Sequence, residues 1–189
     1  VVMVTGAGGS IGSELCRQVI QLKPAKLVLF EISEFALYNI EKELSEFNNK
    51  NRLDVELVPL MGSVQRVNRI ETCMKSFGVQ TVYHAAAYKH VPLMEMSPYE
   101  AVKINIGGTK NIADLSIKHN VERFVMVSTD KAVNPTNVMG ATKRVAEMYI
   151  SCLSKKEHTT KFITTRFGNV LGSNGSVIPL FKKQIENGG

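Results

Sequence analysis

The chain lacks any long apolar stretch. A membrane-spanning helix needs roughly 18 or more consecutive apolar residues, and no segment approaches that length, nor is a signal peptide visible. These absences predict a cytoplasmic domain. Val1 already lies inside the first expected strand and the chain stops at a helix-ending Gly188-Gly189, so we expect a piece of a longer protein.

Cysteine is scarce. Cys16, Cys73 and Cys152 are far apart, and no two of them form a Cys-x-x-Cys pair. This spacing argues against a disulfide framework and a zinc site, and it is typical of buried thiols in a reducing compartment. No spacing of the histidines supports a metal site either.

Basic residues outnumber acidic ones and give a net charge of +6, but they are scattered and no run of them reaches five. Nucleic-acid binding is therefore disfavoured, and an anionic small ligand accounts better for the charge. With 44% hydrophobic and 21% charged residues, the composition is that of an ordinary globular protein and argues against disorder.

Short apolar runs alternate with amphipathic segments along the whole chain. Strands are predicted at residues 1–5, 26–30, 55–60, 81–85, 124–127 and 162–166, and helices at 10–22, 33–48, 67–77, 97–119, 137–155 and 177–186. Strict alternation implies an α/β fold with a Rossmann-like, doubly wound parallel sheet and right-handed crossovers. We expect one such domain over residues 1–189.

A glycine-rich turn joins the first strand to the first helix. Gly6, Gly9 and Gly12 are spaced three apart, and Ser10 and Ile11 begin the helix. Glycines permit a tight turn and close backbone approach, while the helix N-terminus offers N–H groups and a positive dipole end to a pyrophosphate. The spacing alone is a weak signal, since any tight turn favours glycine. Its place in the first strand–helix unit predicts a dinucleotide site.

Glu31 ends the second strand, about 20 residues after the last glycine of that turn. A carboxylate at this place can bind both ribose hydroxyls of an adenosine and would repel a 2′-phosphate. NAD is therefore favoured over NADP as the cofactor. The competing interpretation is a solvated acid near the start of the next helix.

Small residues and then polar ones follow the fourth strand. Ala85, Ala86 and Ala87 leave an uncluttered surface on which a cofactor could lie, although tight packing beneath a helix is an alternative and both can hold. Lys89 and His90 carry polar groups into the cleft region, where Lys89 could meet a substrate phosphate. A lone histidine such as His90 is more often structural than catalytic.

Chemistry-bearing side chains gather just after the fifth strand. Thr129, Asp130 and Lys131 lie at its carboxyl end, where functional groups of open α/β sheets collect. Met139 and Lys143 follow on the next helix and, being four residues apart, share a face. Taken alone, Asp130 and Lys131 would be a surface loop pair, but their place ahead of this helix favours a catalytic role.

Together these segments resemble the extended short-chain dehydrogenase/reductase superfamily, and within it the nucleotide-sugar 4,6-dehydratases of the CapD-like polysaccharide-biosynthesis group. The matching segments are residues 6–12, 84–92 (His-Ala-Ala-Ala-Tyr-Lys-His-Val-Pro), 128–135 (Ser-Thr-Asp-Lys-Ala-Val-Asn-Pro), 139–143 (Met-Gly-Ala-Thr-Lys) and 166–172 (Arg-Phe-Gly-Asn-Val-Leu-Gly). They occur in the expected order over nearly the whole chain. Jointly they are highly specific, although the glycine motif alone is not.

The superfamily that the chain resembles has a Tyr-x-x-x-Lys dyad, but this chain has Met139 at the tyrosine position. A thioether cannot accept a proton. The long, membrane-attached members of the group are similar in carrying methionine there, so the substitution points to that subgroup and leaves Lys143 to bind the nicotinamide ribose. Thr129, Asp130 or a water is then left to remove the 4-hydroxyl proton.

The resemblance implies that UDP-N-acetylglucosamine is oxidised at C4 with NAD, loses water across C5 and C6, and regains the hydride at C6. Related glucose dehydratases have Asp-Glu where this chain has Asp130-Lys131, so the lysine favours the N-acetylated substrate. Lys131, when neutral, would be the base, and Asp130 would be the acid, which requires a raised Asp130 pKa. If the two touch, an ion pair opposes both roles and they titrate as a coupled unit.

The resemblance also implies substrate contacts from Asn169 and Ser176, with most of the substrate lobe beyond Gly189. We expect a homo-oligomer and a complete protein at the bacterial inner membrane, with this domain on the cytoplasmic side and membrane contact only through segments outside this chain. Two competing interpretations stay open. One is another UDP-sugar enzyme of the superfamily, an epimerase or decarboxylase, and the other is a non-catalytic, redox-sensing NAD(P)-binding module.

Overall fold

A computed structural model describes residues 1–168, 170, 181 and 184–188. The strands are β1 (Val2–Thr5), β2 (Lys26–Glu31), β3 (Glu56–Met61), β4 (Thr81–His84), β5 (Arg123–Thr129) and β6 (Lys161–Phe167). The helices are α1 (Ser10–Gln21), α2 (Glu34–Asn51), α3 (Val67–Phe77), α4 (Val91–Met96), α5 (Pro98–Ala101), α6 (Thr109–Lys118) and α7 (Val138–Leu153). A π-helical turn (Val102–Gly108) joins α5 to α6, and a 3₁₀ turn (Asp130–Ala132) follows β5. The predicted helix at 177–186 lies largely outside the described residues.

All six strands form one parallel sheet in the order β3-β2-β1-β4-β5-β6. One hydrophobic cluster, which includes Ile70, Ile112 and Ala146, packs α3, α6 and α7 on one face of the sheet. A second, which includes Ile20 and Ile40, packs α1 and α2 on the other face. Helices on both faces of a parallel sheet make the predicted doubly wound Rossmann-like fold, which is confirmed.

The helix starts that the sequence indicates are partly confirmed. The Ser33 hydroxyl accepts a hydrogen bond from Ala36 N at 3.3 Å at the start of α2, and the Asn137 side chain accepts one from Gly140 N at 2.7 Å at the start of α7. Ser97, with which the predicted helix at 97–119 begins, makes no side-chain capping bond. Pro98 in the first turn is enough to start that helix, because its backbone torsion already fits.

The predicted helix at 97–119 is confirmed in extent, because α5, the π-helical turn and α6 run without a break from Pro98 to Lys118, although its middle is π-helical and α4 was not predicted. Two other expectations are wrong. The sequence predicts an apolar stripe on α1 at Ile11, Leu15, Val19 and Leu22; Val19 is buried, but Leu22 is 79% exposed, and Cys16 and Ile20 are buried instead. Cys152 is exposed and is therefore not one of the expected buried thiols. In each case packing against neighbouring elements, rather than local periodicity, decides the outcome.

The register of the sheet brings the candidate segments to one edge. Thr5 lies opposite Phe30 of β2 and His84 of β4. Gly6 then turns the chain with a positive φ of 68°, and its N–H donates to Phe30 O at 2.8 Å. A Cβ on Gly12 would lie 1.9 Å from the Gly6 carbonyl oxygen, so glycine at that position allows α1 to pack tightly against the turn.

We expect Gly12→Ala to lower the free energy of unfolding of the complete protein by about 1–3 kcal/mol, because the added methyl group overpacks the turn against α1. Urea-induced unfolding measures the loss. Glu14→Ala, on the exposed side of the same helix, is the control and should change that free energy by less than about 0.5 kcal/mol. Unchanged stability of the Gly12 variant would contradict the close packing.

Candidate active site

A cleft of about 270 Å³ opens at the carboxyl ends of β1, β2 and β4. This is the point at which the strand order reverses, where ligands of doubly wound sheets bind. Its lining comes from the glycine turn, the end of β2, the loop after β3 and the alanine segment after β4. The lining residues are Gly6, Gly8, Gly9, Phe30, Glu31, Ile32, Ala36, Gly62, Ser63, Val64, Ala85, Ala86, Ala87, Tyr88 and Ile104. The structure thus brings Gly6, Gly9, Glu31 and the three alanines together, while Ser10, Ile11 and Gly12 form the adjoining first turn of α1.

Glu31 is buried at the wall of this cleft and is held by three backbone N–H groups. Its Oε2 accepts a hydrogen bond from Gly8 N at 3.0 Å, and its Oε1 accepts from Ile32 N at 2.8 Å and from Ser33 N at 3.0 Å. The carboxylate is therefore fixed between the glycine turn and the start of α2. It is not a solvated surface acid.

His84, at the end of β4, connects the end of β1 to α6. Its Nδ1 lies 2.8 Å from Thr5 Oγ1 and its Nε2 lies 3.0 Å from Thr109 Oγ1. The Thr109 hydroxyl donates to Asn105 O, so it must accept from His84, which places the proton on Nε2. Burial lowers the pKa of His84 to about 3, and nearby Lys143 adds to this effect. His84 is therefore a neutral structural residue at physiological pH.

Asn105 connects the cleft to α7. It is fully buried in the π-helical turn, and its side chain binds both backbone groups of Tyr88, accepting from Tyr88 N at 2.9 Å and donating to Tyr88 O at 3.1 Å. It also donates to Thr142 Oγ1 at 3.0 Å. The cleft segment after Ala87 is in this way tied directly to the helix that carries Lys143. π-helical turns are often found at functional sites.

Lys143 is buried at 5% exposure, and its Nζ donates to Val127 O of β5 at 2.7 Å. Burial lowers its pKa from 10.5 to about 8, while the negative charge of Glu147 works in the opposite direction. Met139 is also buried on this helix, as the four-residue spacing predicted. It packs with Met94 of α4 and Ala101 of α5 in a small apolar cluster.

One helical turn beyond Lys143, Glu147 forms a bidentate ion pair with Arg166 of β6. Arg166 Nε donates to Glu147 Oε1 at 2.9 Å, and Arg166 NH2 donates to Oε2 at 2.6 Å. The carboxylate is buried, with its side chain 5% exposed. Burial alone would raise the pKa of Glu147, but the bonds from Arg166 contribute to a net lowering. The pair locks α7 to β6.

Asp130 and Lys131 touch, with 3.2 Å between Lys131 Nζ and Asp130 Oδ1. The Thr129 hydroxyl also donates to Asp130 Oδ1 at 2.9 Å. These two hydrogen bonds, that from Thr129 first, lower the pKa of Asp130. The expected rise in the Asp130 pKa is therefore wrong for this structure. Asp130 is exposed, and it lies near Gly168 just after β6, where a Cβ would lie 3.4 Å from Asp130 Oδ2.

The remaining substrate candidates are less well defined. Lys89 and His90 are exposed between Tyr88 and α4, and their predicted substrate contacts stay predictions. Asn169 and Ser176 lie outside the described residues. Across the part of the chain that the structure describes, no group of three or more His, Cys, Asp or Glu could hold a metal ion, and no helix has the length and apolarity to cross a membrane.

Sequence reasoning missed three supporting groups: the Asn105 amide, the Glu147–Arg166 pair and helix α4. Asn105 stands between Ile104 and Ile106 on a helical pattern, so a polar residue among apolar ones was the available signal. Glu147 and Arg166 are 19 positions apart, and only the packing of α7 on β6 brings them together. Glu95 of α4 accepts a hydrogen bond from Val138 N at 2.7 Å, a contact that no local pattern could indicate.

We expect Lys143→Met to stabilise the complete protein at pH 7 by about 1–3 kcal/mol, because it removes a charge whose burial lowers the lysine pKa from 10.5 to about 8. The free-energy cost of burying the charged Lys143 amine is fully present below pH 8. It declines from pH 8 to 10.5, where the folded state has lost a proton that the unfolded state keeps. Urea-induced unfolding at pH 7 and pH 9.5 should show the advantage shrinking. Lys155→Met, on an exposed residue just beyond α7, is the control, and an advantage independent of pH would refute the buried charge.

Comparison with known sequences places the chain in a family. The profile of the family described as polysaccharide biosynthesis protein matches residues 2–189. The capsular polysaccharide biosynthesis protein CapD of Staphylococcus aureus is 56% identical over 100% of this chain and 31% of that protein. A UDP-N-acetylglucosamine 4,6-dehydratase (inverting) of Campylobacter jejuni is 35% identical over 99% of this chain and 54% of its own length. A UDP-glucose 4-epimerase of Rickettsia canadensis is 35% identical over 98% of this chain and 53% of its own length.

Solved structures agree on the fold. Pen from Bacillus thuringiensis matches with a TM-score of 0.87 and 39% identity, over 99% of this chain and 57% of Pen. A double mutant of DesIV, a dTDP-glucose 4,6-dehydratase from Streptomyces venezuelae with NAD and DAU bound, matches with a TM-score of 0.81 and 20% identity. The match covers 100% of this chain and 63% of DesIV. The chain spans between about a third and about half of the length of the curated relatives named above. It belongs to the polysaccharide biosynthesis protein family, among whose relatives are nucleotide-sugar dehydratases and epimerases.

Proposed function

We propose that the complete protein is an NAD-dependent 4,6-dehydratase that acts on UDP-N-acetylglucosamine in polysaccharide biosynthesis. The observation that carries the proposal is the convergence on α7 of a buried lysine, Lys143, and the turn bearing Asp130 and Lys131. The Campylobacter relative, at 35% identity, is named for this reaction. A purely nucleotide-binding module would have no use for an acid–base pair at the carboxyl end of β5.

The residues of the cleft fit NAD. Gly6 and Gly8 bring the backbone of the turn so close to Ala86 and Ala36 that a Cβ at either glycine would clash, and the turn leads into the N-terminus of α1, which suits a pyrophosphate. Glu31, fixed by backbone N–H groups, suits the two hydroxyls of an adenosine ribose and disfavours a 2′-phosphate. DesIV, whose fold this chain shares, was solved with NAD bound. When bound, NAD⁺ would accept a hydride from C4 of the sugar and return it to C6.

Lys143 would hold the nicotinamide ribose, since its amino group is already oriented by Val127 O. Met139 cannot accept the proton of the 4-hydroxyl, so Thr129, Asp130 or a water has this role. For elimination, the neutral Lys131 amine would take the C5 proton, the C5–H electrons would form the C5–C6 double bond, and Asp130 would protonate the departing 6-hydroxyl to release water. A proton then returns to C5 when the hydride reaches C6.

An epimerase is the second candidate, because a protein named UDP-glucose 4-epimerase matches at the same identity as the dehydratase. The two activities differ in their products. Only a dehydratase converts the sugar 6-CH₂OH into a methyl group, which gives a doublet in the proton NMR spectrum. The Asp130–Lys131 pair favours the dehydratase, since epimerisation at C4 requires no acid and base at C5 and C6.

We expect Glu31→Gln to weaken NAD binding by about 10- to 100-fold, the effect of losing a charge-assisted hydrogen bond of about 1.5–3 kcal/mol. Discrimination against NADP should fall as well, because the repulsion of a 2′-phosphate is lost. Calorimetric titration of the complete protein with each cofactor measures both effects. Glu34→Ala, on an exposed acid in the first turn of α2, is the control. Unchanged NAD affinity in the Glu31 variant would remove Glu31 from the ribose site.

We expect Lys131→Ala in the complete protein to slow exchange of the sugar C5 proton with solvent by about 10²–10⁴-fold, the usual contribution of a general base. NMR of UDP-N-acetylglucosamine in deuterated buffer follows the exchange. Lys103→Ala serves as control, because the Lys103 amine lies over the Tyr99 ring and pairs with Glu100. Undiminished exchange would exclude Lys131 as the base, and a product without the methyl doublet would exclude the dehydratase.

A further inference from the structure

The turn that carries Asp130 and Lys131 is anchored by its backbone. Ala132 in this turn is completely buried, whereas the side chains of Lys131 and Asp130 keep 37% and 56% of their surface exposed. Val133 N donates to Asp130 O at 3.0 Å and closes the turn. The direction in which the two side chains project is therefore set by how this backbone is seated on its neighbours.

The neighbour is Gly140 in the first turn of α7. A Cβ at position 140 would lie 2.4 Å from the Lys131 carbonyl oxygen and 3.2 Å from its carbonyl carbon. Real Cβ atoms do not approach other atoms so closely, and the obstacle is backbone rather than a flexible side chain. Glycine weakens a helix relative to alanine, so helix stability does not explain its presence here.

The chain is fixed to α7 on both sides of Asp130. Before the turn, Lys143 Nζ binds Val127 O of β5, and within the turn the Lys131 carbonyl rests on Gly140. Asn137 adds to the contact, since its side chain caps α7 by accepting a hydrogen bond from Gly140 N. The packing of α7 against the turn therefore sets how Lys131 lies relative to Lys143.

We propose that Gly140 is a positioning residue that, by admitting the Lys131 carbonyl, places Lys131 and Asp130 for the proton transfers at C5 and C6. This inference rests on the proposed function. With Thr129 or a water, rather than Asp130, accepting the 4-hydroxyl proton, cofactor binding and oxidation at C4 depend on Lys143 and the glycine turn and do not require Gly140. A misplacement of about 1 Å can cost ~100-fold in rate, so a methyl group at this contact should impair elimination selectively.

Gly140→Ala in the complete protein tests the proposal. We expect exchange of the sugar C5 proton with solvent, followed by NMR with UDP-N-acetylglucosamine, to fall by ~100-fold. NAD affinity and the rate of C4 oxidation, followed by the absorbance of the reduced cofactor, should change by less than about threefold. Gly107→Ala in the π-helical turn is the matched control, because a Cβ there would meet only Val102 O, at 3.9 Å. All three quantities should stay unchanged in that variant.

A double variant separates positioning from general packing. In a Lys131→Ala background, Gly140→Ala should cause no further loss of C5 exchange, because the group that it positions is gone. Equal losses of C4 oxidation and C5 exchange, additive losses in the double variant, or failure of Gly140→Ala to fold would each overturn the proposal. If the unaltered protein exchanges no C5 proton at all, the proposed function itself is wrong, and this inference falls with it.

Discussion

Placing the Lys143 amine in the interior is the constraint on which the arrangement of the site depends. A buried ammonium is unfavourable unless its donors are satisfied, and here Val127 O supplies an acceptor while the charge of Glu147 opposes the lowering of the lysine pKa. Both partners are available only if α7 lies in one position over β5 and β6. The bidentate bond between Glu147 and Arg166 holds that position from the sheet side. The same lysine that is suited to bind a cofactor therefore also dictates where its helix must lie.

Buried polar groups extend this constraint across the sheet. Thr5 and Thr109 hold His84 at the end of β4, the Thr109 hydroxyl binds Asn105 O, and the Asn105 side chain binds the backbone of Tyr88. Every member of this chain of hydrogen bonds has a partner, and such fully satisfied networks specify one packing arrangement. The alanine segment that lines the cleft precedes Tyr88 directly. Hydrogen bonds therefore connect the wall of the cleft to the helix bearing Lys143. The side chains of Asp130 and Lys131, by contrast, are partly exposed.

The sequence was informative wherever local chemistry determines the structure. The tight turn at Gly6 and Gly12, the start of α2 at Ser33, the start of α7 near Asn137 and the shared face of Met139 and Lys143 each depend on neighbouring residues, and the structure has all of them. The π-helical turn could not be predicted, because it depends on Asn105 reaching Tyr88 and Thr142, two partners distant in sequence. The Asp130 pKa was predicted in the wrong direction. The acid role required a raised Asp130 pKa, and the sequence already indicated that contact with Lys131 would oppose it; what it did not indicate is the hydrogen bond from the Thr129 hydroxyl, which is the largest cause of the lowering.

That contact bears on how an acid and a base can be neighbours in one site. While Lys131 and Asp130 are paired, the carboxylate is stabilised in its charged form and is unfit to donate a proton. If the Lys131 amine turns toward C5 of a sugar, the ion pair is broken and its side-chain hydrogen bond and charge no longer lower the Asp130 pKa, while the bond from the Thr129 hydroxyl remains. A single movement thus releases the base and favours protonation of the acid. The Lys131 side chain is partly exposed while the backbone of its turn packs against Gly140, so the main chain can stay in place when the amine changes partner.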